Sequence, residues 1–199
     1  MRMRKWAVVL GGADCVWDDV RAWEAAYGKE WDGLTIAVND IGSWWPRHID
    51  HWVSLHPNKF KRWMEQRAEN GFAFNGDTWG RAGRYNEPVT WAHELHPWPG
   101  GSSGLLAVQV AQVLEVTRVI LCGVPMTPSG HFSESKENFG PIWYAAAGYW
   151  TAWVNHHEHL RNWVRSMSGK TKELLGVPTL EWLHDANVSI PLPIPAQPM

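Results

Sequence analysis

From Trp6 to Val124, short apolar runs alternate with longer segments whose apolar side chains recur every three or four positions. The pattern predicts strand and helix in turn. Residues 6–10 form a continuous apolar run closed by Gly11 and Gly12, and Asp14 is placed to cap a helix with Val16, Val20, Trp23 and Tyr27 on one face. Residues 34–38, closing on Asn39 and Asp40, and residues 51–55 read as two further buried strands. Pro57 opens a helix through roughly Asn70, with Phe60, Trp63, Met64 and Arg67 at helical spacing and Gly71 as its stop.

Glycines and prolines break up residues 71–100, leaving two short strand-like runs at 72–74 and 89–92. The Gly-Gly-Ser-Ser-Gly sequence at 100–104 then introduces a helix that is apolar over much of its circumference. Residues 117–122 are the clearest strand and end at Gly123. A polar loop over 125–141 leads to a long helix from Ile142 to about Leu160, with Trp143, Ala146, Ala147, Trp150, Trp153 and Val154 on one face. Residues 163–167 suit a last strand, and residues 168–171 a short helical turn. Such alternation implies a Rossmann-like α/β sandwich, a mostly parallel sheet with helices on both faces. The expected domain covers residues 1–187, followed by a Pro-rich tail at 188–199. In this architecture ligands bind beyond the carboxyl ends of the strands, so the loops of interest are 11–14, 39–45, 100–104, 123–132 and 166–171.

With 199 residues, 45% of them hydrophobic, the chain has material for one sizeable core. Eighteen Lys and Arg against twenty Asp and Glu leave a charge of -2, which excludes the global basic field of a non-specific nucleic-acid binder. No apolar run approaches the ~20 residues of a membrane span, and the first residues lack a signal-peptide pattern, so a cytoplasmic protein is expected. Cys15 and Cys122 sit in or beside apolar runs and read as reduced thiols. Sixteen tryptophans serve cores, interfaces and stacking sites alike, and a homo-oligomer is one of the uses open to them.

Gly11 and Gly12 allow close approach of a phosphate or ribose to the backbone at a helix start, although Ala13 and Val16 stand where the GxGxxG fingerprint needs glycine. A tight strand-to-helix turn explains the same glycines. Ser102, Ser103 and Gly104 form a second such mouth, where either serine serves equally as N-cap. Ser168, Gly169, Lys170 and Thr171 resemble the end of a P-loop, but Val164 replaces its required glycine, so a P-loop NTPase is excluded. His156 and His159 lie one turn apart and leave a divalent metal open without fixing a third ligand; a solvated helix end is the plainer reading. His131 follows the clearest strand, at the rim where a neutral imidazole can act as general base; ordinary surface is the alternative.

A glycine-rich turn after the first strand, an Asn after the second, a Ser-Gly turn into a helix, and the strand Val-Thr-Arg-Val-Ile-Leu-Cys-Gly-Val at 116–124 together resemble the bacterial family 42 sialyltransferases and the 6-hydroxymethylpterin diphosphokinase-like family. The resemblance spans roughly residues 5–167. The chain is also similar to small proteins encoded by bacteriophages. The sialyltransferase resemblance implies a nucleotide-activated donor such as CMP-sialic acid as substrate; no cofactor is predicted, with a divalent metal left open. Gly11, Gly12 and Asp14 would hold its nucleotide, Asn39, Ser102, Ser103 and Gly104 its cytidine and phosphate, and His131 would be the base. The chain departs from the family in having Gly-Gly-Ala-Asp at 11–14 and Gly-Val-Pro at 123–125, and in lacking tyrosines at 125–141. Two classes of function follow: a glycosyltransferase-like transferase, or a non-catalytic nucleotide or sugar-nucleotide binding protein on the same fold.

Overall fold

The computed structural model describes residues 6–81, 93–128, 130–133 and 145–185. Among these, seven strands form one sheet: β1 (Trp6–Leu10), β2 (Leu34–Val38), β3 (His51–Ser54), β4 (Asp77–Arg81), β5 (His93–Leu95), β6 (Arg118–Cys122) and β7 (Val164–Ser166). Their order is β5-β4-β3-β2-β1-β6-β7, and every neighbouring pair is parallel. Helices α1 (Val16–Tyr27), α2 (Ile41–Trp44) and α3 (Phe60–Glu69) pack on one face. On the other lie α4 (Ser103–Val113) and α5 (Ala145–Asn155). Three short helices, α6 (His157–Leu160), α7 (Gly169–Leu175) and α8 (Leu180–His184), complete the described chain. This is the Rossmann-like sandwich that the alternation predicts.

Covering both faces explains the unbroken apolar runs. Ala7, Val9, Val119 and Leu121 face α4, whereas Val8, Leu10, Ile120 and Cys122 face α1, so no position of β1 or β6 is open to water. The same logic makes α4 apolar over much of its circumference, because residues 103–112 are buried without a break. From β1 the chain winds outward to β5, then returns across the sheet to place β6 on the other side of β1. The order therefore reverses between β1 and β6, the point where a crevice opens in such sheets.

Several expectations are corrected. Residues 72–74 are not a strand: Gly71, at φ +81°, ends α3, and the Phe72 N–H returns to the Arg67 carbonyl. Phe74 then packs edge-on against Trp52, so the aromatics in this run are anchors rather than a pleated face. The strand comes later, at β4. The run at 89–92 and the tail at 188–199 lie outside the described residues, as does the start of the long helix, which breaks at His156 between α5 and α6. Asp14 is not the cap of α1, since Cys15 holds that position and makes no side-chain capping bond. Nor is Arg67 part of an apolar stripe. It is 2% exposed and donates to the carbonyls of Gly42 (2.7 Å), Trp45 (2.6 Å), Arg47 (2.9 Å) and Ala73 (2.9 Å).

Candidate functional site

The site is built where β1 and β6 end. The Gly11 N–H donates to the Cys122 carbonyl at 2.7 Å, and the Ala13 N–H to the Gly123 carbonyl at 3.2 Å. A Cβ on Gly11 would lie 2.2 Å from the Gly123 carbonyl oxygen, and Gly123 has φ +70° with its own Cβ position 2.6 Å from Val16 Cβ. Side chains at either position would force the two turns apart. Beyond β6 the chain comes back to the first loop. The Asp14 N–H donates to the Gly130 carbonyl (2.8 Å), the Phe132 N–H donates to the Gly12 carbonyl (3.1 Å), and one antiparallel bridge pairs Ala13 with His131. Main-chain bonds thus fix the backbone beneath His131.

Its imidazole is held from both ends. Nε2 lies 3.1 Å from Asp40 Oδ1, and Nδ1 lies 2.7 Å from Ser133 Oγ, with the Ser133 N–H 3.4 Å away. An ionised carboxylate only accepts, so Nε2 carries the proton toward Asp40 and Nδ1 is the basic nitrogen. Gly12 leaves room for the ring, since a Cβ there would sit 3.0 Å from Nε2. Asn39, at φ 57°, accepts from the Trp52 indole on its carbonyl and from the Ser54 hydroxyl on Oδ1 at 2.8 Å. Ser102 is the cap of α4, accepting from the Leu105 N–H at 3.3 Å, while Ser103 accepts from the Leu55 N–H at 3.1 Å and ties α4 to the end of β3.

Gly11, Gly12, Asn39, Ser102, Ser103, Gly104 and His131 line one cavity of about 270 Å³ at the carboxyl edge. Asp14 lies outside that lining. The sequence reading missed Asp40, His56, Thr127 and Tyr149, which share the wall. Asp40 had a signal, as it directly follows Asn39, the first residue after β2. The loop at 166–171 supports the site from behind. Ser168 and the Gly123 N–H both donate to buried Asp19, at 2.7 and 2.8 Å, which holds the β6 turn in place. Burial raises the Asp19 carboxyl above its usual range. Burial likewise pushes the neighbouring Cys15 thiol up to about 12, so at neutral pH it stays protonated and is no nucleophile.

The paired histidines of the helix break are engaged elsewhere. His156 stacks on Trp98 at 4.2 Å, and His159 Nε2 accepts from the Gln112 amide at 2.9 Å. Among the described residues, no three His, Cys, Asp or Glu side chains gather as metal ligands. Burial lowers the pKa of His56, His156 and His159 below the usual 6.5, with help from Lys59 and Arg81 at His56 and from His156 at His159. Each stays neutral where an unfolded histidine is protonated. As pH falls below 6.5 the unfolded chain takes up protons first, so stability is lost from there down through the lowered folded values. The melting temperature is expected to fall steadily between about pH 7 and pH 5.5; a flat profile would count against partly desolvated, neutral rings.

No helix among the described residues is long and apolar enough to cross a membrane. No family model, curated protein or solved structure matches the chain.

Proposed function

We propose that the chain is a transferase using a nucleotide-activated donor, most simply a glycosyltransferase of sialyltransferase-like chemistry, with His131 as general base. One observation carries this reading: the Asp40–His131 pair stands on the wall of a cavity whose remaining lining includes the glycine and serine backbone of the β1 turn and the α4 mouth. The donor nucleotide lies against Gly11, Gly12, Asn39, Ser102, Ser103 and Gly104, where backbone N–H groups and the positive end of an eleven-residue helix favour phosphate.

In the reaction the acceptor hydroxyl oxygen forms a bond to the donor sugar carbon as that carbon's bond to phosphate oxygen breaks. The nucleotide leaves with the bonding electron pair. The acceptor proton goes to His131 Nδ1, either directly in place of Ser133 or relayed through its hydroxyl, and Asp40 stabilises the imidazolium through Nε2–H. One contact favours the second reading, a nucleotide or sugar-nucleotide binding protein without turnover: Ser133 already engages the basic nitrogen. Incubation with a panel of sugar nucleotides separates the two. Release of free nucleotide is expected for the transferase, saturable binding without release would replace it by the binder, and the absence of both would contradict each.

A further inference from the structure

A second chamber of about 520 Å³ adjoins the first and shares Leu55, His56 and Tyr149 with it. Its remaining lining includes Arg81 and Trp98. Trp98 forms a fixed floor. It is 7% exposed, its ring stacks on His156, and its backbone N–H donates to Gln109 Oε1 at 2.9 Å. Gln109 in turn donates to the His96 carbonyl, so α4 holds this irregular segment in place.

Arg81 enters the chamber by register. Val53 is paired with Trp79 and Ser54 with Gly80, so one step further along the parallel pair Leu55 stands beside Arg81. Trp79 belongs to the core on the α4 face, and Arg81, two residues on, falls on that same face. Glu94 cannot neutralise it from the next strand, because Glu94 is the partner of Gly80 and therefore points to the opposite face. Arg81 makes no ion pair with any described residue. Lys59 adds a second positive charge near His56. His56 itself, lowered by burial and then by Lys59 and Arg81, is neutral at pH 7 and offers a ring nitrogen without charge.

We infer that this second chamber is an anion subsite, in which Arg81 receives a phosphate or carboxylate of the acceptor while the nucleotide occupies the first chamber. A guanidinium with no ion pair among the described residues, lining the same chamber as a rigid indole, suits an oxygen-rich anion, since the planar fork meets two oxygens at once. The shared wall of Leu55, His56 and Tyr149 keeps the two occupants adjacent, as transfer between them requires. The assignment to an acceptor rests on the transferase reading; the anion subsite itself does not.

Isothermal titration with inorganic phosphate, and separately with acetate, tests it on the intact chain, on Arg81→Gln and on Thr127→Trp, whose indole fills the first chamber. The intact chain and Thr127→Trp are expected to bind at least one of the two anions equally, and Arg81→Gln to bind it at least about tenfold more weakly. The tighter anion identifies the group. Equal binding by Arg81→Gln, no binding by the intact chain, or loss of anion binding in Thr127→Trp would each overturn the subsite, the last by placing the anion with the nucleotide. Should Arg81→Gln fail to fold, Arg81→Lys keeps the charge without the fork and is expected to bind at intermediate strength. A failure of the transferase reading looks different, since sugar nucleotides would then release no free nucleotide while phosphate or acetate still bound the second chamber.

Discussion

Replacing His131 with alanine is expected to lower transfer by at least about a hundredfold while leaving nucleotide affinity nearly unchanged. A positioned general base contributes roughly 10²- to 10⁴-fold, and its loss falls on turnover because the donor is held by other groups. The geometry here is favourable to that outcome. Bonds from the Asp14 and Phe132 N–H groups fix the backbone at His131, the carboxylate of Asp40 orients Nε2, and the ring is only 17% exposed. Asp40→Asn gives an independent measure, since an amide can offer its own N–H to Nε2 and favour the tautomer whose proton sits on Nδ1, removing the base without removing the ring. It too is expected to depress turnover by at least about tenfold with little effect on binding. Alanine at His156, His157 or His159 should retain most activity, since none of the three lines the cavity. Steady-state rates and dissociation constants for these variants decide the matter: a fully active His131→Ala would remove the base from the mechanism.

The largest expected effect on stability belongs to Arg67. Its guanidinium satisfies four backbone carbonyls, and Gly42, Trp45 and Arg47 belong to the segment that follows Asn39 and Asp40. Arg67→Met keeps most of the apolar stem and deletes every donor. Each buried acceptor left unmatched costs about 1–3 kcal/mol, and partial rearrangement of four of them leaves a net loss of about 3–5 kcal/mol. Against a typical total of 5–15 kcal/mol this is a large fraction. Chemical denaturation should show the midpoint falling sharply, and nucleotide binding weakening in whatever protein remains folded, because Asn39 and Asp40 lose their support. A loss below about 1 kcal/mol would mean that water satisfies these carbonyls and that the clasp is not structural.

How much of this was legible in the chain follows from where burial is symmetrical. β1, β2, β3 and β6 announce themselves because both faces of a central parallel strand exclude water, leaving unbroken runs such as the one from Trp6 to Leu10. Toward the edge that signal fades. β4 reads Asp-Thr-Trp-Gly-Arg, with only Thr78, Trp79 and Gly80 buried, while the aromatic residues at 72–74 imitate a strand nearby. Arg81, and with it the second chamber, therefore stayed invisible. The glycines and serines of the first cavity were legible because strand ends in this fold converge on one edge. The Asp40 contact was not, since it joins residues 91 positions apart and depends on the bridge between Ala13 and His131. Asp14 misled because an acidic residue after two glycines has the chemistry of a cap, but its backbone is drawn instead to Gly130. Arg67 occupies a helical position where spacing alone suggests an apolar stem, and only its four carbonyl partners reveal its role.

The central claim is that the cavity between the β1 turn and the α4 mouth holds a nucleotide. Isothermal titration of a panel of nucleoside monophosphates, nucleoside diphosphates and sugar nucleotides into the intact chain and into Thr127→Trp tests it most directly. Thr127 lies on the cavity wall, outside the buried core, so its indole should fill the space without lowering the melting temperature appreciably. At least one nucleotide is expected to bind the intact chain at a single site and to lose at least about a hundredfold in affinity, or about 2.7 kcal/mol, in the variant. A panel that fails to bind at millimolar concentration, or a nucleotide that binds Thr127→Trp as it binds the intact chain, would contradict the claim.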